Sequence, residues 1–231
     1  PHDPADVTVP PALVDAPPVR QEIARFYDGL RRMDATVGAM ARRLEERGLG
    51  GSTVSFFTSD NGPPFPFAKT TLYEAGIHMP LVAWGQGVEG GALRDDLVGL
   101  IDLLPTCLEL GGAAAPEGLD GLSFAGLLGP PSGAEAPLRT AIFGTHDSHR
   151  VEPDVPSRSV RCGRWKYIRT YSSGLAFENL VMRTSDTWRA MVEAAKGGDK
   201  ALEGRMTRFM LRPQEELFDL ESDPHELQNL A

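Results

Sequence analysis

Cysteine is scarce: Cys107 and Cys162 are the only two in 231 residues, too few for a disulfide framework. They form either one bridge or two thiols, and the burial preference of free cysteine favours two buried thiols. Basic residues are in deficit, with 23 Lys and Arg against 32 Asp and Glu, for a formal net charge of −9. A phosphate-binding protein needs a basic face, so this balance argues against nucleic acid as a partner. No apolar run approaches the ~20 residues of a membrane helix, so no membrane partner is expected. There is no internal repeat or low-complexity run, no Gly-x-Ser-x-Gly, no phosphate-cradling glycine loop and no Cys-x-x-Cys, which removes three common enzyme readings.

What is present is an ordinary globular composition, 41% hydrophobic and 24% charged, in a chain long enough to bury roughly 70% of its unfolded surface. The first 18 residues are dense in proline, which fixes φ and removes donors, so they form an extended arm. The opening "PHDPADVTVPPALVDAPP" reads as one cut from something longer, and no compartment can be assigned from it. From Val19 onward Ile23, Phe26, Leu30, Met33, Val37, Met40 and Leu44 recur at spacings of three and four. That spacing predicts one amphipathic helix, closed by Gly48, Gly50 and Gly51. Val54–Thr58 and Leu81–Trp84 are short apolar runs expected as strands buried on both faces of an α/β layout. In "DDLVGLIDLLPTCLEL" a strand should pass into a helix, with Asp102 as N-cap and Pro105 in the first turn.

After residue 140 the pattern shifts. "AIFGTH", "SRSVRCGRWKYIRTY" and "ELFDLESDP" are strand-like, with a helical segment between Ser185 and Leu211 and Ser185 as its N-cap. Short strands clustered late predict a small antiparallel sheet. The expected division is residues 1–139 as part of a catalytic α/β domain and residues 140–231 as a smaller α+β subdomain.

Chemistry concentrates in "FFTSDNGPPFPFAKTTLYEAGIHMP", where an apolar run ends on Asp60-Asn61-Gly62 and a proline-stiffened loop leads to Lys69. Ligands in open α/β sheets sit beyond the carboxyl ends of strands. A carboxylate and an amide carbonyl are hard oxygen ligands suited to Ca²⁺ or Mg²⁺, and a lysine is a compact point charge for an anionic oxygen. Spacing alone favours a plainer alternative, since Asp-Asn-Gly is among the commonest turn signals. His146 and His149 could serve as acid/base or substrate groups near neutral pH, while His2, His78 and His225 read as surface residues.

The same stretch resembles the sulfatases, and more narrowly their sulfamidase (heparan N-sulfatase) branch, whose loop runs Asp-Asn-Gly-x-Pro-Phe-Pro-x-x-Lys/Arg-Thr-x-Leu-Tyr. "VRQEIARFYDGLRRMDATVGAMARRLEERGL", "LIDLLPT", "RSVRCGRWKYI" and "RPQEELFDLESDPHELQNLA" agree with it in order, so the resemblance spans almost the whole chain. It implies part of an alkaline-phosphatase-like α/β sandwich with a small C-terminal antiparallel sheet. It also implies Asp60 and Asn61 as Ca²⁺ ligands, Lys69 as the catalytic cation that contacts sulfate, and, by looser analogy, His149 facing the substrate. The implied partner is a sulfated sugar, and a homodimer is compatible with the resemblance.

The departure is specific. The family nucleophile is a formylglycine made from Cys in Cys-x-Pro-x-Arg, whereas Cys107 precedes Leu-Glu-Leu and Cys162 precedes Gly-Arg-Trp. The chain therefore resembles the C-terminal half of a sulfatase and is expected to be inactive alone. Two rivals stand beside that reading: a phosphonate or phosphate monoester hydrolase of the same superfamily, and a non-catalytic remnant.

Overall fold

A computed structural model of the chain describes residues 1–130, 137–148 and 154–231. It divides into two compact units, one of Pro1–Ala39, Asn61–Met79 and Phe143–Ala231, the other of Met40–Asp60 and Pro80–Ile142. The long helix predicted from the spacing is α1 (Pro17–Glu46), and Val19, Ile23 and Ala24 are its buried positions. It begins two residues earlier than Val19 because Pro17 and Pro18 sit in the first turn, where no N–H is needed.

In the second unit, β1 (Val54–Thr58) and β2 (Leu81–Gly85) form an antiparallel pair, with Val54 opposite Gly85 and Thr58 opposite Leu81. Every residue of β1 is half-buried, so the expectation of strands buried on both faces is corrected. The described chain supplies β1 with a single partner strand, and a pair alone cannot cover both faces.

The segment before Asp102 is also corrected, since residues 92–99 carry no strand. A short 3₁₀ turn leads into α3 (Leu103–Leu110), and Asp102 does not cap that helix with its side chain. Its carboxylate instead accepts from the amides of Gly99 (2.6 Å) and Leu122 (2.8 Å) and from Arg139 Nη2 (2.7 Å). Burial opposes the charge, but Arg139 and the two amides outweigh it and hold the Asp102 carboxyl below the usual carboxylate range. The nearby loop residues outbid the helix for this carboxylate. Both cysteines are free thiols, yet both are exposed, against the expectation of burial. Cys107 lies one step round α3 from the buried Thr106, and Cys162 borders a turn.

From Phe143 onward the four-stranded sheet falls in the first unit. β3 (Ala141–His146), β4 (Ser157–Cys162), β5 (Trp165–Thr170) and β6 (Glu215–Asp219) lie in that order, with β4–β5 and β5–β6 antiparallel. Cys162 faces Trp165 across a two-residue turn whose first residue, Gly163, has φ 54°, a conformation glycine supplies without strain. Between β5 and β6 a short helix that the pattern does not predict, α4 (Leu180–Thr184), precedes the helical segment predicted from Ser185 to Leu211, which is two helices, α5 (Asp186–Lys196) and α6 (Lys200–Met210). Ser185 caps α5 by accepting from the Trp188 amide, and Gly198, at φ 106°, separates α5 from α6. Asp199 caps α6 through the Leu202 amide.

The core of this unit gathers Val19, Ile23, Phe65, Phe67, Leu72, Tyr73, Ile168, Met191, Leu202, Phe209 and Phe218. Beside it lies a buried ionic cluster that the sequence pattern does not reveal. Lys166, 1% exposed as the second residue of β5, reaches Glu74 at 2.8 Å and Glu226 at 3.5 Å, and Arg161 also meets Glu74 at 2.7 Å. Burial works against the Glu74 carboxylate, but His78, Lys166 and Arg161 outweigh it and hold its pKa down at about 2. Glu226 has the opposite outcome, since burial wins over Lys166 and raises it to about 7.

Candidate functional site

β1 ends at Thr58, and the chain passes through Asp60 into the loop that carries the remaining candidates. The Asp60 side chain is exposed and Asn61 is half-buried. Asn61 Nδ2 donates to the Gly62 carbonyl at 3.0 Å, which fixes which end of its amide is the acceptor. Gly62 is required for a reason that the sequence only hints at. Its amide donates to the Gly76 carbonyl at 2.9 Å, and a Cβ at this position would lie 1.9 Å from the Ala75 carbonyl oxygen. Gly76 also meets the loop closely, since its Cβ would fall 2.5 Å from the Ala68 carbonyl oxygen. The two glycines let the short helix α2 (Glu74–Ile77) lie directly on the loop backbone.

Residues 63–71 are held by their own hydrogen bonds. The Phe65 and Lys69 amides both donate to the Pro63 carbonyl (2.7 and 3.2 Å), and the Ala68 amide donates to Phe65 (3.2 Å). Thr71 Oγ1 donates to the Ala68 carbonyl at 2.7 Å. Phe65, Phe67, Leu72 and Tyr73 are buried in the core, so the loop is anchored on both sides of its cation. Tyr73 is further tied by its hydroxyl to Glu216 at 2.9 Å, and burial together with that carboxylate raises its pKa.

Lys69 is half-buried at the centre of this loop and enters no ion pair among the described residues. The backbone around it is strained, with Phe67 at φ 64° and Thr70 at φ 67°. For a bulky aromatic and a β-branched residue these are outliers, each costing about 1–3 kcal/mol and persisting only where the surroundings impose them. Those surroundings are visible. The Phe67 ring packs on Phe209 at 4.5 Å, and Thr70 Oγ1 accepts from the buried Asn179 at 2.8 Å.

Of the other candidates, His149 lies outside the described residues. His146 ends β3 half-buried, with its ring edge-on to Phe177 at 6.3 Å. His2, His78 and His225 are exposed, as surface residues should be. Asn179 has one local signal, a side chain that accepts from the Met182 amide at 2.9 Å and so caps α4. Its contact with Thr70, 109 residues away, has none.

Whether these residues suit a divalent ion is a question of donor chemistry. Asp60 and Asn61 offer hard oxygens, right in kind for Ca²⁺ but only two of the 6–8 such an ion takes. Among the described residues no group of three or more His, Cys, Asp or Glu could hold a metal.

Comparison with known proteins adds the frame for this loop. The sulfatase family model matches residues 2–113, and the model described as "N-sulphoglucosamine sulphohydrolase, C-terminal" matches residues 65–188. An ulvan-active sulfatase of Formosa agariphila is 33% identical over 227 residues, covering 96% of this chain and 37% of that protein. Human N-sulphoglucosamine sulphohydrolase is 31% identical over 244 residues, covering all of this chain and 47% of the relative. A solved 2-O GAG sulfatase superposes with a TM-score of 0.68 at 22% identity, covering 95% of this chain and 40% of that one, which shows the shared fold. The chain belongs to the sulfatase family. Within it, more than half of the chain matches the C-terminal part of N-sulphoglucosamine sulphohydrolases, and the chain spans less than half the length of these relatives.

Proposed function

We propose that this chain is the C-terminal part of a sulfatase that hydrolyses sulfate esters or sulfamates of N-sulfoglucosamine-like sugars. Asp60 and Asn61 would supply two oxygen ligands to Ca²⁺, and Lys69 would bind and neutralise the sulfuryl group. The observation that carries this reading is Lys69 itself, a half-buried cation with no ion pair among the described residues, fixed between two strained residues. Such a cation suits an anionic substrate, and backbone strain concentrates where a side chain must be aimed.

Cleaving an S–O or S–N bond places negative charge on the nonbridging and leaving atoms, and a preorganised cation stabilises that charge without reorganising at the moment of reaction. A bound calcium ion would add Lewis-acid polarisation of the sulfuryl oxygens. This chain's own contribution is to bind, orient and neutralise. The ammonium of Lys69 meets the sulfuryl oxygens, the loop prolines restrict its wandering, and His149 is a second candidate for facing the sugar. The nucleophile, a formylglycine in this family's chemistry, would come from the N-terminal half.

The test is a panel run on the full-length protein: glucosamine N-sulfate, an aryl sulfate and an aryl phosphonate side by side. Turnover of the sulfamate and sulfate well above the phosphonate is expected. Preference for the phosphonate would move the protein to the phosphonate hydrolases, and no turnover of any of the three would leave a remnant without chemistry.

A further inference from the structure

The two strained residues that flank Ala68-Lys69 are tied to one helical segment, Phe67 through Phe209 of α6 and Thr70 through Asn179 at the start of α4. Asn179 is 1% exposed and uses both ends of its amide. Its Oδ1 accepts from the Met182 amide at 2.9 Å, and its Nδ2 donates to Thr70 Oγ1 at 2.8 Å. The Thr70 hydroxyl in turn donates to the Lys69 carbonyl at 2.6 Å. The chain of bonds therefore runs from a buried helix cap, through the residue at φ 67°, to the backbone of the cation.

We infer that Asn179 is a positioning residue for Lys69: it holds Thr70 in the left-handed conformation and so sets the direction in which the lysine side chain leaves the loop. The inference rests on the reading of Lys69 as the sulfuryl contact. Its chemistry is specific to an amide. Capping α4 needs only an acceptor, which Asp or Ser supplies equally well, whereas reaching Thr70 as found needs the N–H₂ donor. A carboxylate at position 179 would still cap the helix, but it would accept the Thr70 hydroxyl proton and draw it away from the Lys69 carbonyl. Thr70 would then lose the restraint that offsets its strain, and the cation would sample other directions.

The test uses the full-length protein with Asn179→Asp, Lys69→Ala and the double substitution. Asn179→Asp should lower kcat/KM about 10-fold, while in the Lys69→Ala background it should cost less than about 2-fold, because residues that act through one group are not additive. Amide exchange at Lys69 and Thr71 should rise roughly 10-fold with the thermal midpoint little changed, as expected of a local opening. Thr70→Val, which removes the hydroxyl and leaves the cap intact, should reproduce the loss, and Thr70→Ser should not. An equal loss from Asn179→Asp with and without Lys69, or unchanged activity and exchange, would overturn the inference. If Lys69→Ala leaves turnover unchanged, the role given to Lys69 fails instead, and the exchange rates alone decide whether Asn179 holds the loop.

Discussion

Lys69→Ala in the full-length protein is expected to lower kcat/KM toward sulfated substrates by about 10²–10³, the loss typical when one preorganised charge-stabilising group is removed. That corresponds to ~2.7–4 kcal/mol of transition-state stabilisation. Stability should change little, because the side chain is half-buried and holds no ion pair among the described residues. Lys69→Arg should retain most of the activity, since a guanidinium brings the same charge to the sulfuryl oxygens in a different donor geometry. Steady-state kinetics on the three proteins checks this. A Lys69→Ala enzyme with wild-type kcat/KM would remove the cation from the site.

Asp60→Ala should act through calcium. Removing one of two hard-oxygen ligands, and the only charged one of the pair, is expected to weaken Ca²⁺ binding by roughly 100-fold, in line with the dependence of affinity on ligand charge. Turnover should fall with it and recover partly as calcium is raised, whereas the Lys69→Ala loss should be indifferent to calcium. Asp60→Asn, which keeps an oxygen and loses the charge, should fall between. Calcium titrations followed by calorimetry and by activity make the comparison. Calcium affinity and turnover both intact in Asp60→Ala would show that the ion, if any, is held elsewhere.

Much of the fold can be read directly from residue patterns. The three-and-four spacing from Ile23 to Leu44 marks α1, Ser185 marks the start of α5, and the late strands lie in one sheet. The misreadings share a physical cause, competition for partners distant in sequence. Asp102 has the right type and place for a helix cap, but Arg139 and the Leu122 amide claim its carboxylate first. The burial of Lys166, which no local pattern marks, has the same cause, since Glu74 and Glu226 make a buried place for it.

The candidate site shows the same divide. Local spacing favours a turn at Asp60-Asn61-Gly62, and only the family pattern singles out the stretch. The structure contributes what neither supplied: Gly62 and Gly76 as points of backbone approach, Phe67 and Thr70 as strained flanks of Lys69, and Asn179 behind them. Apart from the helix cap made by Asn179, none of these contacts has a local signal, because each depends on which segment lies opposite.

The most direct measurement is a crystal structure of the full-length protein with calcium and a sulfate or sulfamate ligand bound. The expected result is a calcium ion about 2.3–2.6 Å from side-chain oxygens of Asp60 and Asn61, with the Lys69 ammonium within about 2.7–2.9 Å of a sulfuryl oxygen, a charge-assisted hydrogen bond. A calcium ion coordinated without either residue, together with Lys69 turned away from the sulfuryl group, would contradict the assignment.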